Sequence, residues 1–321
     1  MKEKLTLAVA TSDLTLPIIN GEVTAEGIDL NIISNFQTNR IQFIERMHAN
    51  AEFDISEYST PVQYISWDRG DKRFRLLPVF TTRAFFHRHI FVRSDSKIKK
   101  PKDLEGKSMA VPIYQNGRWM WTRGVLDDFY GVSVNKIKWF TERPERIKVN
   151  HPGVTIKRLP EGMSNVAALE AGLVDAIGSF DMQKSKKIVP LFKDPKEEEM
   201  KYYRRTKIFP IMHSLAIKKE ILERSPWVAQ SIMQAFQRGK ELAAETRDKM
   251  ASQAGSMNVW NNGLRDQYDV FGEDPFPYGL DVNMPTLETW SNYLVKQGFI
   301  SKKPDIKSMF AKGTEKITAP W

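Results

Sequence analysis

At 321 residues, with 41% apolar and 27% charged residues, the chain has the make-up of an ordinary folded protein long enough for two domains. The absence of cysteine excludes disulfides, thiolate metal sites and cysteine nucleophiles. The net charge of +9 and pI near 9.4 come from Lys and Arg scattered along the chain, which suits anionic small molecules and argues against a nucleic-acid partner.

Apolar runs such as Leu5 to Ala10 fall far short of the ~20 residues that span a bilayer, so no membrane partner is expected. The chain opens Met1-Lys2-Glu3-Lys4 and turns at once into strand-like Leu5–Ala10, with no apolar leader region. A cytoplasmic location is the expectation.

Residues 1–95 alternate strand and helix. Leu5–Ala10 reads as a strand, Ile41, Ile44 and Met47 recur at helical spacing, and Phe53–Ile55 reads as a second strand entering a Ser-rich helix start. This βαβ patterning predicts a largely parallel sheet whose strand ends meet a ligand. Phe85–Val92 is strand-like and leads to a polar break, Ser94 to Lys107, punctuated by Pro101 and Gly106. A second lobe begins there, with a strand Ser108–Val111, a helix near Trp119–Tyr130, strands near Ile137–Phe140 and Thr155–Leu159, a helix Asn165–Gly172 and a strand Val174–Gly178. The apolar segment Ile208 to Ile217 reads as a strand returning to the first lobe, and Ser225-Pro226 starts a long helix with Val228, Ile232 and Phe236 on one face. The predicted architecture is an α/β fold of two lobes joined by two hinge crossings, with 1–95 and 212–321 forming lobe one and 96–211 forming lobe two.

The break has the form V-x-S-D-S-x-I-K-x-P-x-D-L-x-G-K-x-x-A-V-P, and Ala168-Leu169-Glu170-Ala171-Gly172-Leu173-Val174-Asp175-Ala176 follows it. Both stretches resemble the type II periplasmic-binding-protein-like proteins and their enzymatic relatives. More specific are Phe53 to Glu57, Arg83 to His87, Tyr202 to Thr206 leading to Ile208–His213, and Asp274-Pro275-Phe276-Pro277-Tyr278-Gly279. Together these resemble the 4,5-dihydroxyphthalate decarboxylase family, in order and over nearly the whole chain. The segments Arg88-His89 and Tyr114 to Trp121 depart from the pattern, which leaves the substrate open.

The resemblance implies a central cleft between the lobes and non-oxidative loss of CO2 from a hydroxylated aromatic acid. That chemistry needs a proton for the carbon bearing the carboxylate, a base, and cations for the carboxylates; well-placed acid and base groups contribute about 10²–10⁴-fold. His87 and His213, one in each crossing, are the candidate proton donor and its partner, unless they only pack in the sheets. Glu57, at the close of the second strand beside Asp54, would take a proton from a ring hydroxyl or hold a histidine in one tautomer, or else cap a helix start. Arg83, Arg88, Arg118, Arg123, Arg204 and Arg205 form the pool for binding carboxylates, since a guanidinium fork engages both oxygens. Tyr114, Trp119 and Trp121 would stack on an aromatic ring or else belong to the core. Ser12, with Thr11 and Asp13, follows the first strand and reaches the same edge.

A divalent metal ion stays open as the one cofactor, because His87-x-His89 on one strand face with a nearby carboxylate would ligate it. Gly106-Lys107-Ser108 lacks the upstream glycine of a phosphate loop, and no G-x-G-x-x-G or G-x-S-x-G occurs. The expected partner is a small aromatic carboxylate, and a homo-oligomer is left open. The rival functions are a binding protein that captures an aromatic carboxylate unchanged, and a different lyase on the same scaffold.

Overall fold

The computed structural model describes residues 2–34, 40–145, 147, 149, 151, 153–181, 183, 185–251 and 262–317. From the N-terminus, β1 (Glu3–Ala8), the single turn α1 (Leu16–Ile19), β2 (Ile28–Ile33), α2 (Arg40–Asn50), β3 (Ile55–Ser59), α3 (Thr60–Asp68) and β4 (Phe74–Arg83) alternate as the sequence pattern predicts. The chain then builds a second unit from β5 (Ile90–Arg93), β6 (Ser108–Val111), α4 (Gly117–Asp128), β7 (Lys138–Thr141), β8 (Ile156–Arg158), α5 (Asn165–Glu170), β9 (Ala176–Gly178), β10 (Ile188–Pro190) and α6 (Pro195–Thr206). It returns through β11 (Ile211–Lys218) and continues with α7 (Lys219–Arg224), α8 (Val228–Ala251), α9 (Asn262–Phe271) and α10 (Met284–Lys296).

Unit 1 comprises Met1–Arg83, Ile211–Glu288 and Pro304–Trp321; unit 2 comprises Ala84–Pro210 and Thr289–Lys303. Two boundaries therefore differ from the sequence expectation. Residues 84–95 belong to unit 2 because β5 pairs antiparallel with both β9 and β10. Residues 289–303 belong there too, because Trp290 and Tyr293 pack on Trp121 at 4.8 and 5.2 Å between ring centroids, and Gln297 Nε2 donates to Met120 O at 2.8 Å. The chain thus passes between the units four times rather than twice, the third passage lying inside α10.

The sheet of unit 1 has the order β2-β1-β3-β11-β4. β1 lies parallel to β2 and β3, and the returning β11 is inserted antiparallel between β3 and β4. Leu5, Leu7 and Val9 from β1 and its extension pack with Ile55, Leu215 and Ile217, and the Val228, Ile232 and Phe236 stripe of α8 covers that face. β4 is the last strand and departs from regular pairing: Thr82 opposes His213 but Leu77 opposes Leu215, so β4 bulges through residues 78–81. Pro78 stands at the start of that bulge, where its missing N–H costs no ladder bond. The outer side of β4 is occupied, with Ala311 N donating to Leu76 O and Gly279 N to Pro78 O, both at 2.9 Å.

The sheet of unit 2 has the order β10-β5-β9-β6-β7-β8. Phe91, Ala110, Leu169 and Ile177 fill its core, and Gly178 lets the Trp119 ring approach so closely that a Cβ would sit 2.5 Å from it. α4 starts at an Asn116 cap, whose side chain accepts from Arg118 N, and is buried from Trp119 to Leu126. α5 starts at a Ser164 cap and is followed by Gly172, whose φ of +71° suits the left-handed turn that ends it.

Candidate active site

In an antiparallel ladder, opposed residues and their diagonal neighbours share one face. Here β11 places His213 opposite Ser59 of β3, and Leu215 opposite Glu57, so Glu57 and His213 are diagonal neighbours on one face. Their side chains meet: His213 Nδ1 lies 2.7 Å from Glu57 Oε1. Glu57 is fully buried whereas His213 keeps 19% of its side-chain surface, so the carboxylate stands behind the imidazole. Two further donors reach the carboxylate. The Thr82 hydroxyl of β4 donates to the same Oε1 at 3.1 Å, and Ala10 N, just beyond β1, donates to Oε2 at 3.2 Å. A carboxylate without a proton only accepts, so with Glu57 ionised Nδ1 carries the hydrogen and Nε2 is the nitrogen not engaged by Glu57. Four strands of unit 1 thus contribute to one carboxylate that orients the imidazole. Asp54 stands apart from it, accepting from Thr6 N at 2.8 Å and from Thr6 Oγ1 at 2.9 Å.

His87, the other expected catalytic histidine, has different surroundings. Residues 87–89 form a 3-10 turn instead of a strand, so His87 and His89 do not share a sheet face. The His87 ring lies among Phe192, Tyr130 and Tyr202, at 5.2, 5.8 and 5.9 Å between centroids. Neither ring nitrogen has a hydrogen-bond partner among the described residues. Burial pulls its pKa down to about 4, the Arg88 charge adding to that and Glu198 opposing it. A neutral imidazole with no carboxylate on it is poorly suited to deliver a proton. The metal pair expected from His87 and His89 is not assembled either. His89 Nδ1 lies 3.1 Å from Ser179 O, and among the described residues no three His, Asp or Glu side chains come together as a ligand set.

Of the arginine pool, five members are held by structural partners or lie on the surface. Arg83 donates to Pro277 O at 3.0 Å and to Asn283 Oδ1. Arg88 engages the buried Glu199 carboxylate with Nε at 3.0 Å and with Nη2. Arg204 and Arg205 are exposed in the last turn of α6, where cations complement the helix dipole. Arg123 is fully buried, its guanidinium 3.6 Å from the Tyr114 ring centre, and donates to Gln297 Oε1 at 2.8 Å and to Tyr114 O at 3.0 Å. Tyr114 and Trp121 are core residues, each 1% exposed. The Ser12 hydroxyl shares a hydrogen bond with Thr15 Oγ1 at 3.2 Å in the turn before α1.

Arg118 differs from the other five. It occupies the first turn of α4, between the rings of Phe180 and Phe86 at 4.9 and 5.2 Å, and has no ion pair among the described residues. Burial lowers its pKa to about 10, Asp181 opposing the shift from a distance. His89 stands close enough for burial and the Arg118 charge to lower its pKa to about 4 and keep it neutral. A half-buried guanidinium between two aromatic faces, in the first turn of a helix, has the chemistry to engage an anion. Sequence reasoning did not single out Thr82, Ala10, Phe86 or Phe180. Thr82 follows an unbroken buried run in β4, and the bulge that brings it to Glu57 leaves no local signal.

The comparisons with known proteins bear on this geometry. No family model matches the chain. The chain is 29% identical over 322 residues, 96% of each protein, to the 4,5-dihydroxyphthalate decarboxylase of Comamonas testosteroni. It is 30% identical over 215 residues to that of Pseudomonas putida, covering 63% of this chain and 82% of that one. Among solved structures it resembles the periplasmic aliphatic sulphonate binding protein SsuA of Escherichia coli, with TM-score 0.58 and 14% identity over 100% of this chain and 96% of that one. It also resembles the desulfurization enzyme DSZB, with TM-score 0.55 and 16% identity over 98% of both chains. The structural likenesses establish the periplasmic-binding-protein-like fold of type II, shared by a binder and an enzyme. The sequence likenesses go further: the chain belongs to the family of 4,5-dihydroxyphthalate decarboxylases.

Proposed function

We propose that the protein is a carboxy-lyase that removes CO2, without oxidation, from a hydroxylated aromatic acid of the 4,5-dihydroxyphthalate type. The observation that carries this reading is the Glu57–His213 pair, an oriented histidine backed by a buried carboxylate in a member of this family. In the reaction the bond between the ring and the carboxylate carbon breaks, its electron pair stays with the ring, and a proton takes the vacated position. His213 Nε2 delivers that proton to the ring carbon. A hydroxyl para to the carboxylate supplies electron density to the carbon as it is protonated. Loss of CO2 then restores aromaticity.

Glu57 holds the imidazole in the tautomer that leaves Nε2 available and stabilises the imidazolium before transfer. One proton is consumed per turnover, and the partial exposure of His213 allows solvent to restore it. Arg118 is the carboxylate-binding member of the arginine pool, since it alone combines a first-turn helix position with the lack of an ion pair or backbone anchor among the described residues.

The test is incubation of the purified protein with 4,5-dihydroxyphthalate and related hydroxybenzoic acids, with and without a chelator, followed by mass spectrometry. Loss of the mass of CO2 supports the reading, and the chelator arm reports on any metal ion. A ligand that stabilises the protein against heat and is recovered unchanged would instead make it a binding protein.

A further inference from the structure

The Asp274-Pro275-Phe276-Pro277-Tyr278-Gly279 segment takes no part in the chemistry derived above, yet a buried network is built on it. Lys240 of α8 is 7% exposed, and its ammonium donates to Asp274 Oδ2 at 2.5 Å and to Phe276 O at 3.0 Å while lying 4.4 Å from the Tyr278 ring centre. Asp274 Oδ1 in turn accepts from Phe276 N at 2.9 Å. Asn283, 2% exposed, closes the segment from the other end, its Nδ2 donating to Pro277 O at 2.9 Å and to Gly279 O at 2.7 Å. These bonds tie the segment down at both ends.

The segment grips β4 at two points. Gly279 N donates to Pro78 O at 2.9 Å, at the start of the bulge. Pro277 O and Asn283 Oδ1 both accept from Arg83, at its far end. Between those points lies Thr82, whose hydroxyl is bonded to the Glu57 oxygen that also holds His213. Regular pairing with β11 lapses through residues 78–81 and resumes only at Thr82, opposite His213, so the ladder holds Thr82 from one side and leaves the stretch leading into it unfixed. The 274–283 segment supplies the missing constraint.

We infer that Lys240 and Asn283 are positioning residues for the catalytic pair, acting through the 274–279 segment and the β4 bulge to hold Thr82 on Glu57 and so to aim His213. The kinetic part rests on the decarboxylase reading above; the structural part does not. Misplacement of a catalytic group by about 1 Å costs up to about a hundredfold in rate. K240M is therefore expected to lower kcat about tenfold or more with KM held within about twofold. T82V is expected to do the same, and the double variant to be no slower than T82V alone, because both changes break one linkage.

The experiment is this double-mutant cycle, read by kcat and KM and, independently of substrate, by the 15N resonances of the His213 imidazole. The inference stands if K240M and T82V shift the His213 resonances alike and the losses do not multiply. It is overturned if the losses multiply or if K240M leaves the imidazole resonances where they are. If K240M does not fold, N283A carries the same two expectations. Should wild-type protein turn over no aromatic acid, the decarboxylase reading fails alone and the imidazole resonances still decide the linkage.

Discussion

Glu57 and His213 stand 156 residues apart in the chain and 2.7 Å apart in space. The pairing exists because the strand that returns to unit 1 inserts antiparallel beside β3, and it gives the histidine a fixed tautomer from a direction solvent cannot reach. H213N is expected to reduce kcat about 10²–10⁴-fold, the usual worth of a placed general acid. E57Q keeps the shape but lets the amide donate where a carboxylate only accepts, and is expected to fall in the same range. Steady-state kinetics with 4,5-dihydroxyphthalate check both, and retention of more than a tenth of wild-type kcat in H213N would remove the acid assignment.

Arg118 is expected to act on binding more than on rate. A hydrogen bond to a charged group is worth about 1.5–3 kcal/mol, so R118A should raise KM about ten- to a hundredfold with a smaller change in kcat. R204A, on the exposed last turn of α6, should leave KM where it is. Equal KM values for R118A and wild type would return the carboxylate anchor to the rest of the pool.

His87 makes a prediction about stability and pH. Its imidazole stays neutral in the fold down to about pH 4, whereas the unfolded chain takes up that proton near pH 6.5. Between those values the unfolded state binds more protons, so this contribution is complete above pH 6.5 and is lost as pH falls toward 4, by about 3 kcal/mol at most. Phenylalanine fits the same aromatic surroundings without two ring nitrogens that lack partners among the described residues. The melting temperature of H87F should therefore exceed that of wild type at pH 5 by more than at pH 7, with turnover retained. A pH-independent difference would contradict the burial argument.

Gly124 lies where α4 meets Tyr293, and a Cβ there would come within 2.2–2.4 Å of the tyrosine ring. G124A should lower stability by about 1–3 kcal/mol, read as a shift of the denaturant midpoint. An unchanged midpoint would mean that the ring yields easily.

The alternation of strands and helices in residues 1–83 was legible because apolar periodicity is local. What stayed hidden was pairing over long distances. Phe85–Val92 has the aromatic and β-branched composition of a strand, but Ala84 N is drawn to Pro210 O and Phe85 stacks on Phe209 at 4.7 Å, and the chain turns at His87 before a short strand begins. Residues 289–303 look like any amphipathic helix end, and nothing in them names Trp121 or Met120 as partners. Glu57 and His213 could each be picked out by residue type and place, and His87 was picked out on the same grounds. Only the sheet order separates the histidine that meets a carboxylate from the one enclosed by aromatic rings.

The covered rim of β4 has a consequence for behaviour at high concentration. An outer strand with unpaired amides and carbonyls invites a neighbour's strand, and such contacts propagate into aggregates. Here Leu76 O and Pro78 O are already taken by the amides of Ala311 and Gly279, and Pro78 offers no N–H of its own. The stretch around Phe310 and Ala311 therefore acts as a guard on solubility. A chain cut short before Phe310 would uncover Leu76 O and is expected to scatter more light than the intact chain at equal concentration.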